Sequence, residues 1–317
     1  MEQLLLTNNL KMGVISLYIC VFLIMGIIKF MQITFKKDME NIWIRMKSFL
    51  FILIFFTIAF CFNKALAFIF LILISYLSLK EFFSLIPTRI TDRNVLLWAY
   101  LSIPVSYYII YTQWVIMFYL FIPLYMFILT AIRMVIASNT DGFLKNLAVV
   151  QYGLMICVYA LGYLGMILII PDSYNPQGGA LGLLFYILVI TISNDFAQYF
   201  SGKMFGKHKI IPKVSPNKTW EGFIGGVIGT SALSIIVGYF LTPFALWQLA
   251  FLGAILAIAG FFGDVTMSAI KRDLGVKDTS NLIPGHGGIL DRLDSLLFTA
   301  PLFYHFFAYI NHIVIPR

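Results

Sequence analysis

A chain of 317 residues that is 61% hydrophobic, 17% aromatic and only 11% charged has too little polar surface to cover a water-soluble domain of its size. Its net charge of +8 would suit a nucleic-acid binder, but the cations sit in short segments between long apolar runs, as membrane topology determinants do. Nucleic acid is therefore not an expected partner. The apolar runs are continuous rather than alternating, which argues against a transmembrane β-barrel.

Ten such runs approach the length of about 20 residues that crosses a bilayer as helix: roughly 13–35, 48–62, 65–79, 95–111, 114–132, 147–170, 180–200, 220–241, 245–263 and 289–312. The expected fold is all-α, a polytopic helix bundle of about ten spans forming one membrane domain over 1–317. Apolar helices fill 1–143, and the polar motifs lie in 180–312. The first run is too long for a signal-peptide core and is read as a retained helix. Lys36 to Lys47 reads as a basic segment on the membrane surface. The second and third runs are short, with Asn63-Lys64 between them, so tilted or re-entrant geometries stay open. Cys20, Cys61 and Cys157 all fall inside apolar runs and read as inert packing residues. Glu81, at the end of the third run, reads as a helix-terminal charge pairing with Lys80 or Arg89, with service to the active site as the alternative.

Placing 36–47, 80–94, 133–146, 201–219 and 264–292 on one side of the membrane collects 18 of the 22 Lys and Arg residues there. That asymmetry predicts a multi-pass protein with these connections in the cytoplasm and both termini outside. In a bacterium this would be the inner (plasma) membrane.

Chemistry-bearing residues begin at the seventh run. Asp195 sits near its end, and a carboxylate there calls for a partner or a metal. Lys203, Lys207, His208, Lys209, Lys213 and Lys218 follow within a short loop that suits anionic headgroups or nucleotide phosphates. Ser215 to Thr219 reads as a turn entering a helix with Thr219 as N-cap, where free amides favour a phosphate. Gly222, Gly225, Gly226 and Gly229 form two overlapping GxxxG spacings, a signature of close helix packing.

The densest polar stretch is Asp264 to Asp294, where nine of 31 residues are Asp, Lys or Arg. Continued as helix from the ninth run, Asp264, Ser268 and Lys271 share a face, with Arg272 beside them. Continued into the tenth run, Asp291, Asp294 and Ser295 share another. Between them lie Lys277, Asp278 and the turn Pro284-Gly285-His286-Gly287-Gly288, which lets backbone approach a ligand closely. Carboxylates beside bound phosphates commonly hold Mg²⁺, and Lys271, Arg272, Lys277 and Arg292 offer charge to the phosphates. A single His with distant cysteines does not make a zinc set.

These residues resemble the phosphatidate cytidylyltransferase (CDP-diacylglycerol synthase) family. The matching positions are Ser268, Lys271-Arg272, Lys277-Asp278, Pro284 to Gly288 and Asp291-Arg292-Leu293-Asp294, with Gly202-Lys203, Phe205 to Lys209, Ser215-Pro216 and Lys218-Thr219-Trp220 upstream. The resemblance covers about residues 190–300. It implies transfer of a cytidylyl group from CTP to phosphatidic acid with Mg²⁺ as cofactor, and it implies that Asp264 and Asp291 are metal ligands. Asp195 and Asp294 join them as candidates on position. The remaining catalytic candidates are Lys271, Arg272, Lys277 and His286. Candidates for holding substrate are Ser215, Lys218, Thr219, Lys203, Ser268, Asp278, Gly287 and Arg292. The chain departs from the family pattern at Gln198, where many bacterial members carry a small residue, and in its additional first span. Alternatives are another lipid-phosphate acceptor, a CTP-dependent lipid kinase and, in a different class, an anionic-lipid transporter. The Gly-rich eighth run leaves a homodimer open.

Overall fold

The structure is a computed structural model that describes residues 7–35, 40–86, 93–137, 140–280, 282–283 and 287–312. Ten helices long and apolar enough to cross a membrane account for most of it: α1 (Asn8–Phe35), α2 (Glu40–Phe62), α3 (Lys64–Leu85), α4 (Arg93–Tyr111), α5 (Val115–Ile136), α6 (Phe143–Leu168), α7 (Gly179–Phe205), α8 (Trp220–Leu241), α9 (Leu246–Asp273) and α10 (Leu290–Ile310). The described residues form no β-strand, only the isolated bridges Lys209–Thr219 and Ile283–Gly287. This is the polytopic all-α bundle that the apolar runs predict.

Where helix ends differ from the sequence reading, the cause is local. The segment expected on the membrane surface is, from Glu40 onward, the first part of α2; residues 36–39 lie outside the described residues. The connection between α2 and α3 is Asn63 alone, whose side chain accepts the Leu66 N–H at 2.7 Å and caps α3. With 23 and 22 residues, α2 and α3 are full spans rather than short ones. Helix α7 runs on to Phe205, so Asp195 lies about 15 Å of helix before its end, deeper than expected. In α5 and α6 the residues Phe121–Met126 and Met155–Ala160 widen into π-type turns, the first of them containing Pro123.

Packing is tightest in the second half. Along α8, a side chain on Gly222, Gly225 or Gly226 would run into Gln198 or Ser201 of α7, and one on Gly229 would touch Ala197, so the overlapping GxxxG spacings serve close helix contact as predicted. Helix α6 forms the central strut, with Cys157, Leu161, Met166 and Ile167 fully buried against neighbours. Cys20, expected as a packing residue, is instead exposed on α1. Helices α1 and α2 are peripheral, and outward residues such as Phe30, Ile33 and Phe51 form the apolar surface that a lipid tail would cover.

Hydrogen bonds define the two ends of the bundle. At one, Asn9 Nδ2 of α1 donates to the Phe240 carbonyl, and Asn175 Nδ2 donates to the Leu241 carbonyl, both at 2.9 Å. At the other, the end of α3, the 206–219 loop and the 274–289 loop meet through side chains. All the polar motifs are at this second end.

Candidate active site

Helix α9 carries Asp264 at the mouth of the site. Its Oδ2 pairs with Lys218 Nζ at 2.6 Å, and its Oδ1 accepts the Ser268 hydroxyl at 3.3 Å one turn further on. The shared face of Asp264 and Ser268 is thus as the helical spacing predicts. Lys218 arrives from the 206–219 loop, donates also to Gln198 Oε1 at 3.2 Å, and sits over the Phe261 ring at 5.4 Å. Gln198 in turn donates to Asn194 Oδ1 at 3.0 Å, and Thr230 of α8 donates to the same oxygen at 3.2 Å. A buried polar ladder therefore orients the Lys218 ammonium from inside the bundle, and every rung of it has a partner.

Two further carboxylates flank Asp264. Asp195 of α7 accepts the Ser295 hydroxyl at 3.1 and 3.4 Å through its two oxygens. Asp294 is buried where α10 is interrupted between Leu293 and Leu296, and its Oδ1 accepts its neighbour's N–H from Ser295 at 2.8 Å. Gly263, next to Asp264, packs against the Asp294 carbonyl and Ser295, and Ser295 in turn reaches Asp195, so the three acids are gathered at one place. Among the described residues no three Asp, Glu, His or Cys side chains close into a metal cage. Magnesium needs no such cage, because it commonly binds through one or two carboxylates plus water and substrate phosphate oxygens. Asp264, half-exposed and flanked by two more acids, fits that mode.

Asp291 has a different environment. Its Oδ1 pairs with Lys271 Nζ at 2.7 Å, while Oδ2 accepts from Thr279 N at 2.8 Å, Thr279 Oγ1 at 2.9 Å and Gly288 N at 3.0 Å. Both oxygens of this expected ligand are spent on protein donors, so here it braces the 274–289 loop. Gly287 follows from the same construction. It has φ +80°, a left-handed conformation that favours glycine, and lies beside Asp291 and Asp278. Arg272 holds two loops together through the carbonyls of Val214 and Val276 at 3.4 and 3.5 Å. Lys277, Asp278 and Arg292 are exposed at this end. His286, with Pro284 and Gly285, lies outside the described residues.

The upstream loop divides similarly. Thr219 is a buried N-cap whose hydroxyl accepts the Gly222 N–H at 3.2 Å, as expected. Ser215 starts a turn whose carbonyl accepts the Lys218 N–H at 3.3 Å. Glu221 holds the Gly206–His208 turn, accepting from the backbone of Lys207 and His208 at 2.9 and 3.2 Å and contacting His208 Nδ1 at 2.6 Å. Lys203 is exposed and lies over the exposed ring of Tyr199 at 5.9 Å. A Thr219→Ala variant is expected to lose about 1 kcal/mol through the cap, read as a lowered unfolding midpoint in detergent. An unchanged midpoint would remove the cap's structural role.

Glu81 departs from the expected pairing with Lys80. Instead of pairing with Lys80 it is buried, and its carboxylate accepts from Ser280 Oγ at 2.7 Å, Thr279 Oγ1 at 3.1 Å, Ile289 N at 3.0 Å and Leu290 N at 2.9 Å. Arg89 lies outside the described residues. A signal was present in the sequence: no basic residue stands three or four positions from Glu81, so no partner on its own helix faces it. The stripe Thr191, Asn194, Gln198 along α7 was equally legible as a polar seam inside an apolar helix.

Fold and site together define an integral membrane protein of helical class, with its chemistry gathered at one end as paired acids and lysines. The chain belongs to the cytidylyltransferase family, whose model matches residues 43–310, and it is an enzyme of that type. It is 46% identical over 240 residues to the uncharacterized protein YnbB of Escherichia coli K12, covering 76% of this chain and 78% of that one. It is 43% identical over 143 residues to the phosphatidate cytidylyltransferase of Haemophilus influenzae, 44% of this chain and 49% of the relative. With the phosphatidate cytidylyltransferase of Mycobacterium leprae the identity is 41% over 122 residues, 38% of this chain and 39% of the relative. The chain thus spans about half the length, or less, of these two named relatives.

Proposed function

We propose that the protein transfers the cytidylyl group of CTP to phosphatidic acid, releasing CDP-diacylglycerol and pyrophosphate, with the charged end of the bundle facing the cytoplasm. The observation that carries this reading is Asp264 paired with Lys218 and flanked by Asp195 and Asp294, all at one end of an apolar bundle. A lipid-phosphate oxygen forms the new bond to the α-phosphorus of CTP, and the bond to the pyrophosphate oxygen breaks with its electron pair. Both substrates are strongly anionic, so fixed cations and dipoles must already face them when they meet.

In this reading Lys218 is the cation that meets a substrate phosphate, and its buried ladder to Gln198 and Asn194 holds it in place. Exposed Lys277 and Arg292 flank the approach. Asp264, with one of its neighbouring acids Asp195 or Asp294, would hold Mg²⁺ together with water and substrate phosphate oxygens, and the ion would supply charge neutralisation at the transferring and leaving phosphates. Asp264 and Asp291 would each exchange a lysine, Lys218 or Lys271, for the ion. The motifs sit in one half and at one end, whereas an inverted-repeat transporter places them in corresponding positions of two halves, which favours an enzyme.

The test is incorporation of labelled CTP into lipid by purified protein, across phosphatidic acid and other lipid phosphates, with and without a divalent-ion chelator. The expected result is Mg²⁺-dependent CDP-lipid with matching pyrophosphate release. Release of CDP would instead identify a lipid kinase, and lipid flux without nucleotide turnover a transporter. No lipid product with any acceptor, from protein shown to be folded, would sink the proposal.

A further inference from the structure

One buried carboxylate of the apolar N-terminal half reaches across the bundle to the motif-bearing half. Glu81 of α3 grips both feet of the connection into α10: Thr279 and Ser280 on the way out, Ile289 and Leu290 on the return. The bonds are divided between its two oxygens. Oε1 takes Ser280 Oγ and Ile289 N and so ties one foot to the other, while Oε2 takes Leu290 N and shares the Thr279 hydroxyl proton with Asp291 Oδ2. Between the feet the loop is crossed by the Ile283–Gly287 bridge, and Gly288 has no room for a side chain between Thr279 and Glu81. Leu290 N–H is also among the first amides of α10. The same carboxylate therefore fixes where that helix starts, and with it the direction of Asp291 and Asp294.

Resting on the reaction proposed above, we infer that Glu81 is a positioning residue for cytidylyl transfer: it clamps both feet of the 279–290 loop, setting the loop and the start of α10 against Asp264 and Lys218. A charged acceptor makes shorter and stronger hydrogen bonds than a neutral one, so Thr279, Ser280, Ile289 and Leu290 are held against one another. No contact joins Glu81 to the Asp264–Lys218 pair directly, so its effect passes through the loop and through α10.

The experiment compares full-length protein carrying Glu81→Gln or Glu81→Asp with wild type in two readouts. Glutamine keeps one acceptor oxygen but turns an NH₂ toward donors, so half of the clamp is lost; aspartate keeps the charge at a shorter reach. In hydrogen exchange without substrate, Glu81→Gln is expected to speed exchange of the Ile289 and Leu290 amides while the middle of α8 and α9 exchanges as in wild type. In the CTP assay, kcat is expected to fall about 10- to 100-fold, the scale of a misplacement near 1 Å. KM for the lipid phosphate is expected to change little, and Glu81→Asp to recover part of kcat. Unchanged exchange at Ile289 and Leu290 overturns the clamp. Faster exchange with unchanged kcat overturns its part in the reaction, and exchange that rises across the whole bundle reduces Glu81 to a structural residue. A wild type inactive toward every lipid phosphate overturns the proposed reaction instead, and the exchange readout then decides the clamp alone.

Discussion

Asp264→Asn is expected to lower cytidylyl transfer by about 10²–10³-fold, the loss seen when one preorganised electrostatic contact is removed from a reacting centre, with almost no change in thermal midpoint. The two effects separate because of where the side chain sits. Asp264 and Lys218 retain 27% and 20% side-chain exposure, and pairs open to solvent contribute little to folding, about 0–1 kcal/mol. The substitution is nearly isosteric and Ser268 can still donate to the remaining oxygen. What disappears is negative charge beside Asp195 and Asp294, where the proposed Mg²⁺ would bind. Parallel measurement of turnover and thermal unfolding in detergent checks this. A variant retaining most of the wild-type rate would remove Asp264 from the metal site.

Lys271→Met is expected to act in the opposite proportion, destabilising the fold by about 3 kcal/mol, the lower end of the range for breaking a buried ion pair. Asp291 and Lys271 are only 2% and 12% exposed, so removal of the ammonium strands a carboxylate away from water. The loss stays at the lower end because Thr279 N, Thr279 Oγ1 and Gly288 N continue to donate to the same carboxylate. A cycle with Asp291→Leu isolates the pairwise part, expected at about 1–3 kcal/mol for two groups in contact. An unfolding midpoint equal to wild type in Lys271→Met would show that the pair is not a stabilising brace. Activity will fall in both variants, and the thermal midpoint is what distinguishes them.

The two aspartates look alike in sequence, and their difference marks how far a sequence can be read. Ten spans were legible because an apolar run of bilayer length has few other uses, and the Asp264–Ser268 spacing fixed a helix face. The glycines of α8 were legible for the same reason, since small residues four apart announce close packing. Helix ends were less so. Glu40 to Lys47 is charged enough to look like a surface segment, yet it continues α2, and Lys80-Glu81 looks like a terminus, yet Phe82 and Phe83 go on into the core.

The candidate site was legible as a set of residues but not as a division of labour. Asp264, Asp195, Asp294 and Lys218 come together, whereas Asp291, Arg272 and Thr219 hold the frame, and Lys203 lies exposed over Tyr199. Such sorting depends on contacts between residues far apart in the chain. Glu81 meets Leu290 across 209 positions, and Ser295 meets Asp195 across 100. Periodicity reports which neighbours share a helix face, and nothing in it reports a partner on another helix.

Thr279 stands between the clamp and the brace, and its hydroxyl makes their relation unequal. Its oxygen lies 3.1 Å from Glu81 Oε2 and 2.9 Å from Asp291 Oδ2, but a threonine hydroxyl has a single proton to give. At any instant one of those two oxygen contacts is unbridged. Asp291 tolerates the turn without the proton, since the Thr279 N–H reaches the same oxygen. Glu81 tolerates it too, since Leu290 N–H stays on Oε2. The junction between the two halves of the molecule therefore contains a rotor with two settings, able to reset by rotation about the Thr279 Cβ–Oγ1 bond while every backbone hydrogen bond around it stays made.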